Sequence, residues 1–187
     1  MPSILSHIAL LVPNAEASAK ILSARGIACN APESFAAEGT KEIYVGSYSD
    51  QTSLLLLLEA ISEGPYKRAL NKRGPGLHHI AIDVLNLQDT IAKATKVGWQ
   101  LHPESEHTMK HKTAWLFHKG VPLIEVQERK DLSKKPHKVS KIEFPVSQEN
   151  LELFNVLGLR DLISYGKDFN LAIDGQSVSF TNLNVTE

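Results

Sequence analysis

Apolar and polar residues alternate over short runs along this chain, then change to helical spacing, and the succession occurs more than once. In "GLHHIAIDV", residues 76–84, a period of two puts His78, Ile80, Ile82 and Val84 on one face of a strand. His79, Ala81 and Asp83 fall on the other. A face packed against a core would carry bulk where this one has Ala81, so His79 is expected to point into a space.

The same pattern stands earlier in the chain. Residues 7–26 read "HIALLVPNAEASAKILSARG" and residues 79–98 read "HIAIDVLNLQDTIAKATKVG", so His7, Ile8, Ala9, Val12, Asn14 and Gly26 match His79, Ile80, Ala81, Val84, Asn86 and Gly98 at a constant offset of 72. Each copy predicts a strand, a helix capped by Asn14 or Asn86, and a stop at Gly26 or Gly98. Strand-like runs follow: "KEIYVGSY" and "TSLLLLLEAI" in the first copy, "TAWLFHK" and "VPLIEVQE" in the second. Between the copies, Pro65 and Gly74 bracket a short connecting helix.

A weaker third copy begins at "KIEFPVSQENLELFNVLG", residues 141–158, with Ser147 as cap and Gly158 as stop; a hairpin around Asp174 and Gly175 follows. Its first position is Lys141 rather than histidine. The stretch from Arg129 to Lys141 holds six basic residues and Pro136, the composition of a solvated linker. The expected organisation is a two-module unit over 1–128, a basic linker over 129–137, and a partial third βαβ-type module over 138–187.

Composition narrows the function classes. The 187 residues are 42% hydrophobic, enough for a real core, and the formal net charge is -1, so no field would gather nucleic acid or an anionic membrane. Cys29 is the single cysteine, which excludes an intrachain disulfide. The opening "MPSILSHIALLVPN" has no basic segment ahead of its apolar residues, and Leu54–Leu58 is too short to span a bilayer. These features predict a cytoplasmic protein with a small-molecule substrate. The third module, short of strands, is expected to close its sheet against a second copy, giving a homodimer.

The paired "HIAL" and "HIAI" strands, the connector running into "KRGPGLHHIAIDV" and the closing "VPLIEVQE" resemble the vicinal oxygen chelate superfamily, most nearly its methylmalonyl-CoA epimerase and glyoxalase-like members. The resemblance covers about two thirds of the chain and implies an α+β fold of paired βαβββ modules whose mixed sheet curls into a cup around one divalent metal (Co, Zn, Ni, Mn or Fe(II)). It implies His7 and His79 as ligands from the first strand of each module and Glu125 from the last strand of the second. It also implies an oxygen-chelating substrate, an acyl-CoA among the candidates. His78 is expected on the opposite face, as a structural residue or as a hydrogen-bond partner of a ligand.

The sequence departs from the family at two positions. Where a further carboxylate or amide ligand belongs, alignment puts Leu56, with Glu59 three residues on; where the proton-transferring carboxylate belongs, it puts Ala37, with Glu38 one residue on. Glu38 and Glu59 are therefore the candidate proton carriers. Lys110 and Lys112 lie in a polar stretch expected to form a loop over the site, where they would meet an acidic substrate. His107 and His111 in that stretch have the spacing of a helical metal pair, a weaker candidate. The set fits a metal-dependent isomerase or lyase that stabilises an enolate. It also fits an iron(II) extradiol-type dioxygenase with two histidines and one glutamate, or a non-catalytic binding protein of the same fold.

Overall fold

A computed structural model describes residues 3–46, 54–132, 139–173 and 175–185. The first module comprises β1 (Ser3–Leu11), α1 (Ala15–Ala24), β2 (Glu33–Phe35), β3 (Thr40–Val45) and β4 (Leu54–Ala60). After the connecting helix α2 (Pro65–Arg73), the second repeats the order with β5 (Gly76–Val84), α3 (Leu87–Lys96), β6 (Gln100–Leu101), β7 (Thr113–Phe117) and β8 (Leu123–Glu128). The helix α4 (Ser105–Thr108) and a 3-10 turn over Met109–His111 stand between β6 and β7.

The capping signals hold in both copies. Asn14 accepts from the Ala17 N–H and Asn86 from the Asp89 N–H, each satisfying a donor that the first helical turn leaves free. Gly26 and Gly98 follow the two helices at φ 77° and 105°, conformations that L side chains rarely adopt.

The two modules share one mixed eight-stranded sheet in the order β2-β3-β4-β1-β5-β8-β7-β6. That order is symmetric about the antiparallel contact of β1 with β5. Ile8 lies opposite Ile80, its own counterpart in the repeat, so a local two-fold axis passes between them. Ala9 is then opposite His79 and His7 opposite Ala81. Duplication of a histidine one step from the axis thus brings both copies to the same place on one face.

The face carrying the even-numbered positions of β1 (Ile8 and Leu10), with Ile80, Ile82, Ile124 and Val126, packs against α1 and α3 in the main apolar core. β4 is buried on both sides: Leu55 and Leu57 join that core, whereas Leu56 and Leu58 form a smaller cluster with Ala9 and Leu11 on the histidine face. Tyr66, Ala69 and Leu70 of α2 pack on this second cluster, so the connector lies over the first-module half of that face.

The third repeat-like segment forms β9 (Val139–Phe144), α5 (Gln148–Glu152), β10 (Ile163–Tyr165), β11 (Asn170–Ile173) and β12 (Gln176–Ser179). Its four-stranded sheet runs β10-β9-β11-β12, with β10 parallel to β9, unlike the pattern of the first two modules. Ser147 caps α5, and Gly158 ends the turns that follow. The expected hairpin joins β11 to β12, although Asp174 lies outside the described residues. Phe154, Leu157 and Leu171 belong to the same apolar core as the module helices. The Trp99 indole N–H donates to Leu153 O at 3.1 Å and Ser18 Oγ to Leu183 O at 2.6 Å, tying this segment to the helix side.

The solvated linker expected over 129–137 needs correction at its start. Arg129 is held against the sheet: its N–H donates to Val84 O at 2.8 Å and its Nε to Asp83 Oδ1 at 2.9 Å. Residues 133–138 lie outside the described residues. Among those that are described, no helix is long and apolar enough to cross a membrane.

Candidate metal centre

His7 Nε2, His79 Nε2 and Glu125 Oε2 converge on one point. The two imidazole nitrogens are 3.1 Å apart, and the carboxylate oxygen lies 3.6 Å from His7 and 3.5 Å from His79. β5 pairs with β8 in parallel so that Ala81 stands beside both His7 and Glu125, and its methyl group leaves the space into which all three reach. Three atoms at these separations have a common point about 2 Å from each, which matches the ~2.0–2.2 Å of nitrogen and oxygen ligands to a divalent ion such as zinc. Among the described residues this is the group of three or more such side chains that could hold a metal ion.

The electrostatics agree. Burial holds the imidazoles neutral: His7 is lowered to about 4, mainly by desolvation and further by the charge of Arg129, and His79 is lowered well below its ordinary value by desolvation and by His7 and His78. Burial also raises Glu125 to about 7, with the Gln127 hydrogen bond acting in the other direction. Neutral imidazoles beside a carboxylate whose ionisation burial opposes more than the charge of Arg129 favours form the donor set that a divalent cation would satisfy. Gln127 Nε2 donates to Glu125 Oε1 at 2.8 Å, leaving Oε2 to face the histidines.

Two β-bulges orient the histidines. In the pairing of β1 with β5 the register slips between Leu5 and His7 and again between Ala9 and Leu10, leaving Ser6 and His78 as the extra residues. These are repeat counterparts. Each borders its histidine's other ring nitrogen: His78 Nδ1 is 2.9 Å from His79 Nδ1, and Ser6 Oγ is 3.5 Å from His7 Nδ1. His78 therefore does not follow the strict alternation expected of it; the bulge turns it toward its neighbour, with its ring against Tyr66 at 5.0 Å.

The other expected residues divide. Glu38, exposed in the turn before β3, accepts from the Tyr66 hydroxyl at 3.5 Å and so borders the histidine face. Glu59 does not. Its Oε2 accepts from the Ala15 N–H at 3.0 Å at the start of α1, and Glu128 does the same for Leu87 at the start of α3. Glu59 is the structural counterpart of Glu128, a helix cap on the opposite face, because its strand alternates regularly. That correspondence makes Leu56, beside Ala9, the counterpart of Glu125, beside Ala81. Leu56 is buried there at 4% exposure, and the expected site of a second carboxylate is apolar.

The segment of Lys110 and Lys112 has a different local structure from the loop expected. Residues 105–111 form helical turns rather than a loop over the site, and Met109 anchors them to the helix-side core. Lys112 pairs with Glu128 at 2.8 Å, on the face away from the histidines. His107 and His111 fall in separate turns and belong to no metal-holding group among the described residues.

Three groups on the histidine face escaped the sequence reading. Tyr66 projects from α2, its hydroxyl held protonated by burial and by the charges of Glu38, Glu125 and Glu42. Glu42 is buried, raised by desolvation, and accepts from Thr40 Oγ1 at 2.9 Å. Trp115 sits opposite Glu125, its ring edge-on to His79 at 5.0 Å. The alternation in "TKEIYV" places Thr40, Glu42 and Tyr44 on one face and so carried the signal for Glu42.

The fold and site define an α+β protein with a duplicated βαβββ sheet in which two histidines and one glutamate could hold a metal ion. The chain belongs to the glyoxalase/bleomycin resistance protein/dioxygenase superfamily, whose family model matches residues 6–117. No curated protein matches it. Among solved structures, it is similar to a hypothetical protein from Bacillus halodurans (22% identity, TM-score 0.56, covering 72% of this chain and 100% of that one). It is also similar to a Streptomyces coelicolor methylmalonyl-CoA epimerase in complex with 2-nitronate-propionyl-CoA (19%, TM-score 0.54, 70% and 98%). A further methylmalonyl-CoA epimerase, in complex with methylmalonyl-CoA and ammonium, matches at 19% identity and TM-score 0.53, covering 67% of this chain and 94% of that one. At these identities the likeness extends to the fold alone.

Proposed function

We propose that this protein is a metal-dependent isomerase or lyase that acts next to a carbonyl of a small substrate bearing two adjacent oxygens. The observation that carries the reading is the convergence of His7 Nε2, His79 Nε2 and Glu125 Oε2 beside a phenol and a carboxylate able to handle a proton. His7, His79 and Glu125 would hold the ion, and the two halves of the sheet would curl round it; Co, Zn, Ni, Mn and Fe(II) all accept two imidazoles and a carboxylate. When bound, the ion supplies a Lewis acid that acidifies a C–H beside the coordinated carbonyl.

The chain's own groups do the rest. His78 and Gln127 orient the ligands. Glu38 takes the proton at a carboxylate oxygen, and the Tyr66 hydroxyl, which donates to that carboxylate, holds it in place. The leucines under α2 exclude water from the first-module side. An acyl-CoA thioester is one substrate of this kind, and the active form would be a homodimer.

A second reading, an iron(II) extradiol-type dioxygenase, is favoured by Leu56, which limits the protein ligands to three. Elemental analysis of protein purified without chelator tests both. The expected result is about one divalent ion per chain. Deuterium uptake at carbon from D2O without oxygen consumption would select the isomerase, and oxygen-dependent ring cleavage the dioxygenase. Turnover unchanged by complete chelation would overturn both metal-dependent readings, and protein that takes up no metal and turns nothing over would leave the non-catalytic binding protein.

A further inference from the structure

The groups around the three ligands are not distributed evenly across the local two-fold axis. Toward the first module stand acids and a phenol: Glu38, Glu42 and Tyr66. Toward the second stand two donors with unused capacity. The first is Trp115, whose Nε1–H is buried and has no hydrogen-bond partner, while its ring abuts His79. The other tryptophan, Trp99, shows the usual solution, donating to Leu153 O. A buried donor without an acceptor is costly enough to be rare, and its position beside the ligand set points to an acceptor that arrives with a bound molecule.

The second donor is Arg129. Its Nε engages Asp83, and its Nη2 donates to Gln127 Oε1, the amide whose nitrogen holds Glu125. A guanidinium has more N–H donors than these contacts use. The side chain is 51% exposed, so the remaining donors stay accessible. The planar fork is fixed on one edge by its partners and open on the other, the arrangement that recognises a carboxylate.

We infer that Arg129 and Trp115 are substrate-anchoring residues, and that the substrate is a small carboxylic acid whose carboxylate lies toward β7 and β8 while its reacting carbon lies toward Glu38 and Tyr66. The inference rests on the metal reading above and adds the substrate's charge and orientation.

The test uses the cobalt(II)-loaded protein, with pyruvate and its neutral methyl ester as probes. Both offer adjacent oxygens, and only one carries the charge. Dissociation constants are read from the cobalt absorption bands, with cobalt content measured for every sample. Pyruvate is expected to bind about ten- to hundredfold more tightly than the ester, as a charge-assisted contact would provide. Arg129→Gln should shrink that preference by about fivefold or more at equal cobalt content, leaving the part that the cation's own charge supplies, and Arg129→Lys restore some of the loss. Trp115→Phe keeps the ring against His79 and should weaken pyruvate binding without displacing cobalt; it carries the comparison if Arg129→Gln loses its ion. Full cobalt with an unchanged pyruvate-to-ester ratio in these variants overturns this inference alone. Wild-type protein that takes up no cobalt overturns the metal reading and this inference together.

Discussion

Leu56→Gln tests the symmetry argument directly. Ala9 and Leu56 mirror Ala81 and Glu125 across the local axis, so an oxygen donor at 56 should meet the same ion from the other side. Leu56 is 4% exposed against Tyr44, Tyr66 and Leu70, and losing its apolar burial costs about 1.5–3 kcal/mol. An amide left without a partner there adds about 1–3 kcal/mol. The metal-free variant should therefore be less stable than wild type by about 2.5–6 kcal/mol, a fall of roughly 5–24 °C in Tm for a chain of this size.

With metal the balance changes. A further ligand that tightens binding even tenfold contributes about 1.4 kcal/mol, and the amide oxygen is no longer without a partner. The gap between variant and wild type should close by about 2–4 kcal/mol in saturating zinc or cobalt. Thermal unfolding at several metal concentrations, with chelator competition for the dissociation constant, measures both quantities. An equal metal-induced rise in Tm for the two proteins would refute the assignment of Leu56 to the place opposite Glu125, and with it the symmetry of the site.

Other outcomes follow from the same geometry. Because His7 is already neutral above about pH 4 and Glu125 is raised to about 7, metal uptake between these values should release close to one proton, from Glu125; above pH 7 the release should vanish. Affinity should accordingly rise with pH to about 7 and then level off, as calorimetry in buffers of different ionisation enthalpy will show. Gln127→Leu removes the hydrogen bond that lowers Glu125, so its proton release should persist to higher pH, and release that ends at the wild-type pH would contradict this role. His78→Ala should weaken metal binding about ten- to hundredfold while the fold persists, measured by chelator competition. Glu59→Ala should cost about 1 kcal/mol by uncapping α1 and leave metal affinity unchanged; a loss of metal would restore Glu59 to the site.

The repeat was the most legible part of this molecule. A constant offset of 72 between two histidine-led strands implies that the strands play equal roles, and pairing them antiparallel through Ile8 and Ile80 is the arrangement that makes the histidines neighbours. The caps could be read for the same reason, since Asn14, Asn86 and Ser147 each act on a donor three residues away. Non-local departures were not legible. A bulge at His78 breaks the alternation on which the face assignment depended, yet nothing in "GLHHIAIDV" marks the break. Glu59 read as a spare acid because its kinship to Glu128 runs at a different spacing from that of the first strands. Tyr66 sits on a strongly polar connector, where its i, i+3, i+4 stripe with Ala69 and Leu70 is short enough to be overlooked. Arg129 was concealed in a basic run whose average character is solvated, although its own side chain is anchored by a buried aspartate.

The leucine at position 56 also fixes an electrical property. One carboxylate cancels half the charge of a divalent cation, whereas a symmetric pair would cancel all of it. An ion held by His7, His79 and Glu125 keeps a surplus positive charge, walled on one flank by the aliphatic cluster of Ala9, Leu11, Leu56 and Leu58. In so weakly polarisable a medium the surplus is poorly screened there, and its field is directed to the open flank. Incoming anions would feel it before they touch any side chain.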